Sequence, residues 1–302
     1  MIGFVKKVFR RVRSMINCIS GIPVIIDSFV TKLLYDFYRR KQAKQTVNKT
    51  ANPYIFSQQF VAHGRYNSLN PNNSLALFRE LLEKGFKIIE CDVMFTKDNV
   101  PVLCHDENIK EFAKDKSGNI VSKQISKLTY DELRKYNFSL EPNTFLEVTR
   151  FDEVVSLAKK FDACIEIDLA KLYLGRRRYR ILYDIVNRYD MLSNVIWEVL
   201  QGDFYSILYL DCNVIIQLDH TWNEKAINKY KNYKSNTIQI ILSEWFPGHV
   251  DKNYRDIIEL GHQSGFLMKC ATLNSIEEAQ KMFSINVDLI TTDTLSNYGV
   301  IN

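Results

Sequence analysis

The sequence predicts an α/β protein of the (β/α)8 TIM-barrel class with a basic N-terminal helical extension. Strand-like and helix-like stretches alternate from residue 58 to the end of the chain, and roughly eight strands with intervening helices fit into about 250 residues. An open doubly wound sheet is the alternative, but no G-x-G-x-x-G or G-x-x-x-x-G-K motif follows the first strand. We therefore divide the chain into an extension at 1–50 and a barrel domain at 51–302.

The extension is distinguished by its charge. Residues 1–50 contain eleven Lys/Arg and two Asp, a net charge of +9, so the whole-chain charge of +5 leaves −4 for the rest. Residues 1–17 alternate apolar and basic side chains at mostly helical spacing, as a helix on an anionic membrane surface would. A helix packed on the body or on another subunit, or a secretory signal, are the alternatives.

Other sequence features bear on membrane insertion, nucleic-acid binding and the cellular compartment. No apolar run in the extension reaches the ~18 residues that span a bilayer. The basic charge comes without a nucleic-acid recognition motif, so we expect no nucleic-acid partner. The six cysteines are scattered, which is typical of small buried side chains in a reducing compartment. The expected location is cytoplasmic, peripheral at the inner membrane surface.

Each element of the barrel domain has a local signal. Apolar, β-branched and aromatic runs predict strands, amphipathic stretches predict helices, and Gly85 ends the first helix, for which Asn72 or Asn73 is the expected N-cap. Thr129 and Glu132 form a capping box. The predicted strands are QQFVAH, FKIIECDVMF, VPVLCH, DACIEIDL, NVIWEVL, NVIIQLD, TIQIILSEW, FLMKCATL and VDLITTD, and the predicted helices are NNSLALFRELLEKG, LTYDELRKY, RFDEVVSLAKKF, RRRYRILYDIVNRYD, DFYSILYLD, NEKAINKYKNY, NYRDIIELGHQSG and SIEEAQKMFSIN.

The strand FKIIECDVMF carries two acidic residues in an apolar run. Glu90 and Asp92 are two residues apart, so both side chains point to one face of the strand. Burying two like charges needs a neutralising group. Oxygen ligands without cysteine suit Mg²⁺ or Ca²⁺, so we expect a divalent cation against Glu90, Asp92 and Glu166. An ion pair with Lys or Arg is the alternative.

Histidines stand at the ends of two other predicted strands. His63 ends FVAH and His105 ends VPVLCH, while Glu166 and Asp168 end ACIEID. Active sites of TIM barrels form where the strands end, so these groups are expected at one rim. Two histidines beside a cation suit acid–base catalysis, in which one of His63 and His105 accepts a proton and the other donates one.

The segment from His63 to Asp106 resembles the glycerophosphodiester phosphodiesterase family, within the wider superfamily that includes phosphatidylinositol-type phospholipases. The match to its pattern G-x-x-x-x-E-x-D-V-x-x-T-x-D-x-x-P-V-x-x-H-D is nearly complete. Later, CIEIDL resembles the family's E-I-K strand, and ATLNSIEEAQKMFSINVDLITTD resembles its last two strands. The positions that carry the first match are Gly85, Glu90, Asp92, Val93, Thr96, Asp98, Pro101, Val102, His105 and Asp106.

The resemblance implies a barrel that hydrolyses a phosphodiester with a glycerol-like head, with Glu90, Asp92 and Glu166 on the metal and His63 and His105 as the acid–base pair. Four positions depart from the family. The order His-Arg-Gly becomes His63-Gly64-Arg65, which displaces the phosphate-binding Arg65 by one residue. Asn72 replaces a glutamate, Asp168 replaces the lysine of E-I-K at a position where a phosphate contact is expected, and Ala271 replaces a tryptophan, while Lys269 is a candidate to restore positive charge at the phosphate or to reach out at the rim.

Two functions follow from these residues. The first is a metal-dependent phosphodiesterase acting near a membrane on a small phosphodiester or a lipid head group. The second is a barrel that binds a phosphorylated ligand without turnover, because Asp168 and the displaced Arg65 impair catalysis. The survival of both His63 and His105 favours the first.

Overall fold

The computed structural model describes residues 58–111, 113–141, 144–169, 174–200, 207, 210, 213–218, 223–231, 239–244 and 254–296. Eight of the described strands are parallel and hydrogen-bonded in a ring, because the strand Gln59–Ala62 pairs with both Leu289–Thr292 and Ile88–Phe95. This arrangement confirms the predicted TIM-barrel-like α/β fold. The strands are β1 Gln59–Ala62, β2 Ile88–Phe95, β3 Pro101–Leu103, β4 Cys164–Asp168, β5 Val195–Leu200, β6 Asn213–Leu218, β7 Gln239–Glu244, β8 Phe266–Ala271 and β9 Leu289–Thr292.

Strand β3 lies outside the ring, which corrects its prediction as a barrel strand. It runs antiparallel to β2, with Val93 opposite Leu103 and Phe95 opposite Pro101. The chain therefore folds back along β2, and the Cys104 N–H donates to the Asp92 carbonyl at 3.1 Å. His105 reaches the rim by this reversal and not by ending a parallel strand.

Helices connect the strands, and local capping explains where several of them begin. Ser74, Thr129, Asn223 and Ser275 each accept a hydrogen bond from a backbone N–H of the helix that follows. The capping box of Thr129 and Glu132 is confirmed. The described helices are α1 Leu75–Glu83, α2 Tyr130–Leu133, α3 Phe151–Lys160, α4 Gly175–Arg188, α5 Glu224–Tyr230, α6 Arg255–Gln263 and α7 Ile276–Ser284.

The first helix begins one or two residues later than predicted. Ser74 is the N-cap of α1, whereas Asn72 is exposed and Asn73 is buried with a positive φ of 56°. Asn73 is one of the residue types that tolerate this left-handed conformation. In this turn the side chain of Asn73 does not cap the helix and instead contacts Asp92 inside the barrel mouth.

The interior of the barrel has an apolar floor. Side chains two residues apart on a strand share a face, so the next inward positions on β2 and β4 are Glu90 and Glu166. A larger cluster packs the outer faces of the strands against the helices. The floor consists of Val61, Ile88, Cys164, Ile196, Ile215 and Leu289.

A second small core supports the segment between β3 and α3. It packs residues of that segment, such as Ile109, Ile125 and Leu133, against Met94 and Val102 of the β2–β3 pair. This packing holds the chain that follows His105.

The predicted extension at 1–50 lies outside the described residues, as does most of the predicted helix DFYSILYLD, so both stay predictions. Among the described helices, none has the length and apolar character needed to cross a bilayer. Cys91, Cys104, Cys164 and Cys270 are buried thiols that form no disulfide, as expected of small apolar side chains.

The loop that carries Asn73 is tied to α1 by Glu80. The Glu80 carboxylate accepts hydrogen bonds from Lys84 Nζ at 2.5 Å, Ser68 Oγ at 2.5 Å and Asn70 Nδ2 at 2.7 Å. Lys84, Ser68 and Asn70 together lower the pKa of Glu80 to about 2. Glu80 thereby anchors the turn that positions Asn73.

Replacing Glu80→Gln is expected to lower the free energy of unfolding by about 1 kcal/mol at neutral pH, the size of a partly exposed ion pair. The depressed pKa makes this contribution fully present above pH 4.5, the ordinary glutamate value, and lost as pH falls towards 2. Urea unfolding of both proteins between pH 3 and 7 measures the difference. A gap that is constant or grows on acidification would contradict the assignment.

Candidate metal centre and active site

Three carboxylates meet at the mouth of the barrel. Glu90 and Asp92 of β2 lie opposite Glu166 and Asp168 of β4 in the parallel register. One oxygen each from Glu90, Asp92 and Asp168 lies within 4.8 Å of the others. We call these three residues the carboxylate cluster. Glu90 and Asp92 are buried, and Asp168 is half-buried at the rim.

The electrostatics of Glu90 fit a cation. Its Oε2 accepts from the Gly64 N–H at 2.7 Å, whereas the buried Oε1 has no hydrogen-bond partner among the described residues. Burial and the nearby Asp92 raise the pKa of Glu90 to about 8, against the opposing effect of His63. Three converging carboxylates with an unsatisfied oxygen are the donor set that a hard divalent cation prefers.

Asn73 holds Asp92 in place. Asn73 Nδ2 donates to Asp92 Oδ2 at 2.8 Å, and its Oδ1 accepts from the Asp92 N–H at 2.9 Å. A Cβ on Gly64 would lie 2.9 Å from Asn73 Oδ1 and 3.0 Å from the Glu90 carbonyl oxygen, so the close packing requires glycine there. The order Gly64-Arg65 is therefore matched to this turn.

Lys269 contacts Glu166, one of the three residues predicted on the metal. Lys269 Nζ forms an ion pair with Glu166 Oε1 and lies 3.7 Å from Glu198 Oε2. All three side chains are buried, so Lys269 does not reach out at the rim. We call Glu166, Glu198 and Lys269 the ion-pair layer. Asp168, expected at a phosphate contact, joins the carboxylate cluster, while the buried Glu166 Oε2 has no hydrogen-bond partner among the described residues.

Within the ion-pair layer, Lys269 and the two glutamates each favour the charged form of the other. Burial raises the pKa of Glu198 well above its ordinary value; Lys269 opposes this shift, while Asp168 and Glu166 add to it. Burial disfavours the charged form of Lys269, but Glu166 and Glu198 outweigh it and raise the pKa of the ammonium. Lys269 is therefore a buried, charged ammonium.

His63 lies between two acidic residues. Its Nδ1 is 2.6 Å from Asp293 Oδ1, and its Nε2 is 3.7 Å from Glu90 Oε2. Asn274 Nδ2 donates to Asp293 Oδ2 at 2.9 Å, which fixes the carboxylate. Burial opposes the charged ring, but Glu90 and the hydrogen bond to Asp293 raise the pKa of His63 to about 9.

His105 is held in a similar way on the other side. Its Nδ1 is 2.8 Å from Asp106 Oδ1, and its Nε2 is 3.2 Å from Arg65 Nη1. A guanidinium only donates hydrogen bonds, so Nε2 accepts and Nδ1–H donates to Asp106. This contact leaves Nε2 as the accepting, basic nitrogen of His105.

Sequence reasoning did not single out Asn73, Glu198 and Asp293 as site residues. Asn73 is adjacent to Asn72, and the sequence does not show that Asn72 is exposed and Asn73 buried. Glu198 interrupts the apolar run VIWEVL and Asp293 ends the last strand, the same signals that identified Glu90 and His63. A systematic search for acidic residues inside and at the ends of the predicted strands would have found these two.

The chain was compared with known proteins. A sequence model described as "Glycerophosphoryl diester phosphodiesterase family" matches residues 63–296. Curated relatives include glycerophosphodiester phosphodiesterase 1 of Rattus norvegicus, 35% identical over 77 residues, and of Homo sapiens, 32% identical over 77 residues. Each match covers 26% of this chain and only 22% of the relative's length.

Solved structures share the fold at low identity. A glycerophosphoryl diester phosphodiesterase from Silicibacter pomeroyi aligns with a TM-score of 0.65 and 18% identity, covering 81% of this chain and 92% of that chain. An Oleispira antarctica phosphodiesterase in complex with the product sn-glycerol-3-phosphate aligns with a TM-score of 0.65 and 14% identity, covering 79% and 94%.

The family match extends from His63, the first residue of the site, through Asp293 and just beyond it. It thus spans every strand end that contributes to the site. This chain belongs to the glycerophosphoryl diester phosphodiesterase family.

Proposed function

We propose that the chain is a metal-dependent phosphodiesterase that hydrolyses a glycerophosphodiester or a related phospholipid-derived diester. The observation that carries the proposal is the carboxylate cluster, with the unsatisfied Glu90 Oε1, flanked by two histidines that aspartates orient. Family membership supports the reaction class. Release of product from glycerophosphocholine, a lysophospholipid and bis-p-nitrophenyl phosphate, with Mg²⁺, Ca²⁺ or a chelator, tests it. No hydrolysis under any condition would overturn it.

The proposed ligands of the ion are the carboxylate cluster, Glu90, Asp92 and Asp168, and Glu166 stays a proposed further ligand through its buried Oε2. Their oxygens suit Mg²⁺ or Ca²⁺, and the close spacing of the three is offset by a double positive charge. A bound divalent ion would polarise a phosphoryl oxygen and stabilise the charge that develops on it. Asn73 keeps Asp92 aimed at this point.

The two histidines receive different roles. Arg65 leaves His105 Nε2 as a hydrogen-bond acceptor, so His105 can take a proton from the attacking hydroxyl or water. Asp293 favours the protonated ring of His63, so His63 can donate a proton to the leaving oxygen. Asp106 and Asp293 orient the rings and stabilise the charge formed on each.

Arg65 is the proposed phosphate contact. It is exposed, and its Nη1 lies beside the basic nitrogen of His105, where a phosphate oxygen of the substrate would also come. The Oleispira antarctica structure contains sn-glycerol-3-phosphate, and a glycerol phosphate product is our proposal here too. Ala271 provides a small side chain at the end of β8, next to the barrel mouth.

The binding-only alternative loses its basis in this geometry. It assumed that Asp168 repels the phosphate and that Arg65 misses the site. Asp168 instead completes the carboxylate cluster, and Arg65 lies 3.2 Å from His105. Attachment of residues 1–50 to an anionic membrane, and with it the cytoplasmic membrane-surface location, stays a prediction.

Asp168→Asn is expected to weaken binding of Mg²⁺ or Ca²⁺ about tenfold or more, because one of three charged ligands is lost. Titration calorimetry on chelator-treated protein measures the affinity. Asp190→Asn is the matched control, since Asp190 is exposed at a positive φ of 55°, which asparagine tolerates. Equal affinities for the two variants would remove Asp168 from the site.

His105→Ala is expected to lower kcat by about 10²–10⁴-fold, the usual loss of a general base. Ion affinity should stay unchanged, because His105 is not among the proposed ligands. His262→Ala is the control: its Nε2 bonds Asp288 just before β9, at the opposite end of the barrel. Unchanged turnover of His105→Ala would refute the proposed mechanism.

Arg65→Ala is expected to raise KM about tenfold, because a charged hydrogen bond to phosphate contributes about 1.5–3 kcal/mol. Steady-state kinetics with glycerophosphocholine measure it, and Arg65→Lys should recover part of the loss. If KM is the same in all three proteins, Arg65 does not bind the substrate.

A further inference from the structure

We infer that the mouth side of the barrel docks on a phospholipid surface and takes its diester substrate from that surface. The inference rests on the proposed function, since it names the state in which the substrate is presented: a diester carried by a lipid aggregate and not one free in solution. It concerns the folded barrel domain and does not depend on the extension at 1–50.

The exposed apolar side chains of the barrel domain lie on one side of it. Single exposed apolar residues are ordinary in soluble proteins, so their distribution is the informative property. All five large ones among the described residues lie in a connection that leaves the mouth end of a strand, or at the first residue of the helix that follows. Their exposed fractions are 95% for Leu69, 73% for Ile120, 60% for Leu140, 56% for Phe145 and 36% for Ile276.

Leu69 is held out from the mouth by an ordered turn. Its neighbours Ser68 and Asn70 both donate to the Glu80 carboxylate, whereas the Leu69 side chain points into solvent. Arg65, the proposed phosphate contact, precedes Leu69 in the same connection between β1 and α1. Insertion of Leu69 among acyl chains would remove its apolar surface from water and bring Arg65 to the level of the lipid phosphates.

Ile120, Leu140 and Phe145 project from one hydrogen-bonded framework between β3 and α3. Lys114 pairs with both Ile120 and Asn137 in antiparallel bridges. The Asn137 side chain accepts from the backbone N–H just after Phe145 at 2.9 Å and donates to the carbonyl just before it at 2.8 Å. The three apolar side chains are therefore carried by one small unit, which follows His105 directly in the chain. We call them the apolar tip.

The charges around the apolar tip suit lipid phosphates. Residues 114–123 contain the exposed Lys114, Lys116 and Lys123 and one acid, Asp115, so their net charge is 3 − 1 = +2. Asp115 accepts two backbone N–H bonds within its own turn. The exposed Glu141 beside Leu140 leaves a net charge of 2 − 1 = +1. An apolar surface bordered by lysines binds an interface that offers phosphates above acyl chains.

The same charges argue against the extension as the group that covers the apolar tip. Residues 1–50 have a net charge of +9, so docking them there would place lysines and arginines against lysines. A phospholipid surface offers the opposite charge and an apolar interior. It is therefore the occupant that the structure favours.

The full-length variant Ile120→Ser/Leu140→Ser/Phe145→Ser tests the surface, since it leaves the site and the extension unchanged. Co-sedimentation with vesicles of phosphatidylcholine and phosphatidylglycerol should show binding about tenfold or more weaker than that of the wild type, because three apolar side chains no longer leave water. Ile285→Ser is the control: Ile285 is half-buried just before β9, at the opposite end of the barrel, and this variant should bind like the wild type. Equal binding by the triple variant would assign any vesicle binding to residues 1–50 and overturn the inference, as would a wild type that does not bind vesicles.

Turnover of a lipid-borne and a soluble substrate gives the second test. The triple variant should lose about tenfold or more in kcat/KM on lysophosphatidylcholine within the vesicles, while kcat/KM on glycerophosphocholine in solution stays unchanged. Equal losses on both substrates would overturn the inference, as would a wild-type dimer that the triple variant turns into a monomer without lipid, since a second copy would then be the occupant. A wild type that hydrolyses neither substrate would instead overturn the proposed function, and the vesicle binding would still decide whether this surface meets lipid.

Discussion

The burial of acidic side chains on adjacent parallel strands is the constraint on which the site depends. Neighbouring strands lie about 4.8 Å apart, so the register of β2 and β4 brings Glu90 against Glu166 and Asp92 against Asp168. Burial alone drives such groups towards their neutral forms. The fold opposes this with donors from three directions: the Gly64 N–H, the Asn73 amide and the Lys269 ammonium.

Alternation along the strands converts this constraint into layers. Inward positions two residues apart on β2 and β4 change from the apolar Ile88 and Cys164 to Glu90 and Glu166, and then to Asp92 and Asp168. The apolar floor lies below these acids, and Lys269 offsets part of their charge from β8. The histidines flank this rim, each held by its own aspartate.

The sequence could predict the barrel, the shared face of Glu90 and Asp92, and the two histidines, because these depend on alternation and on where strands end. It could not show that Asp168 joins the cluster, nor that Lys269 pairs with Glu166. Lys269 is 103 residues from Glu166 in sequence and meets it only when the ring of strands closes. The sequence also predicts that His105 ends a parallel strand, whereas β3 runs antiparallel to β2, because strand pairing is not visible in a single sequence.

The departures from the family pattern have a common physical explanation. Gly64 precedes Arg65 because the turn at Asn73 leaves no room for a Cβ at position 64, while the next residue is exposed beside His105. At position 168 of β4, where the family resemblance places a lysine, this chain has an acid that enters the cluster. In both cases a different residue carries the charge at the barrel mouth. A barrel permits such exchanges because its strands converge, so a site of this kind depends on which charges meet in space more than on the motif position that provides them.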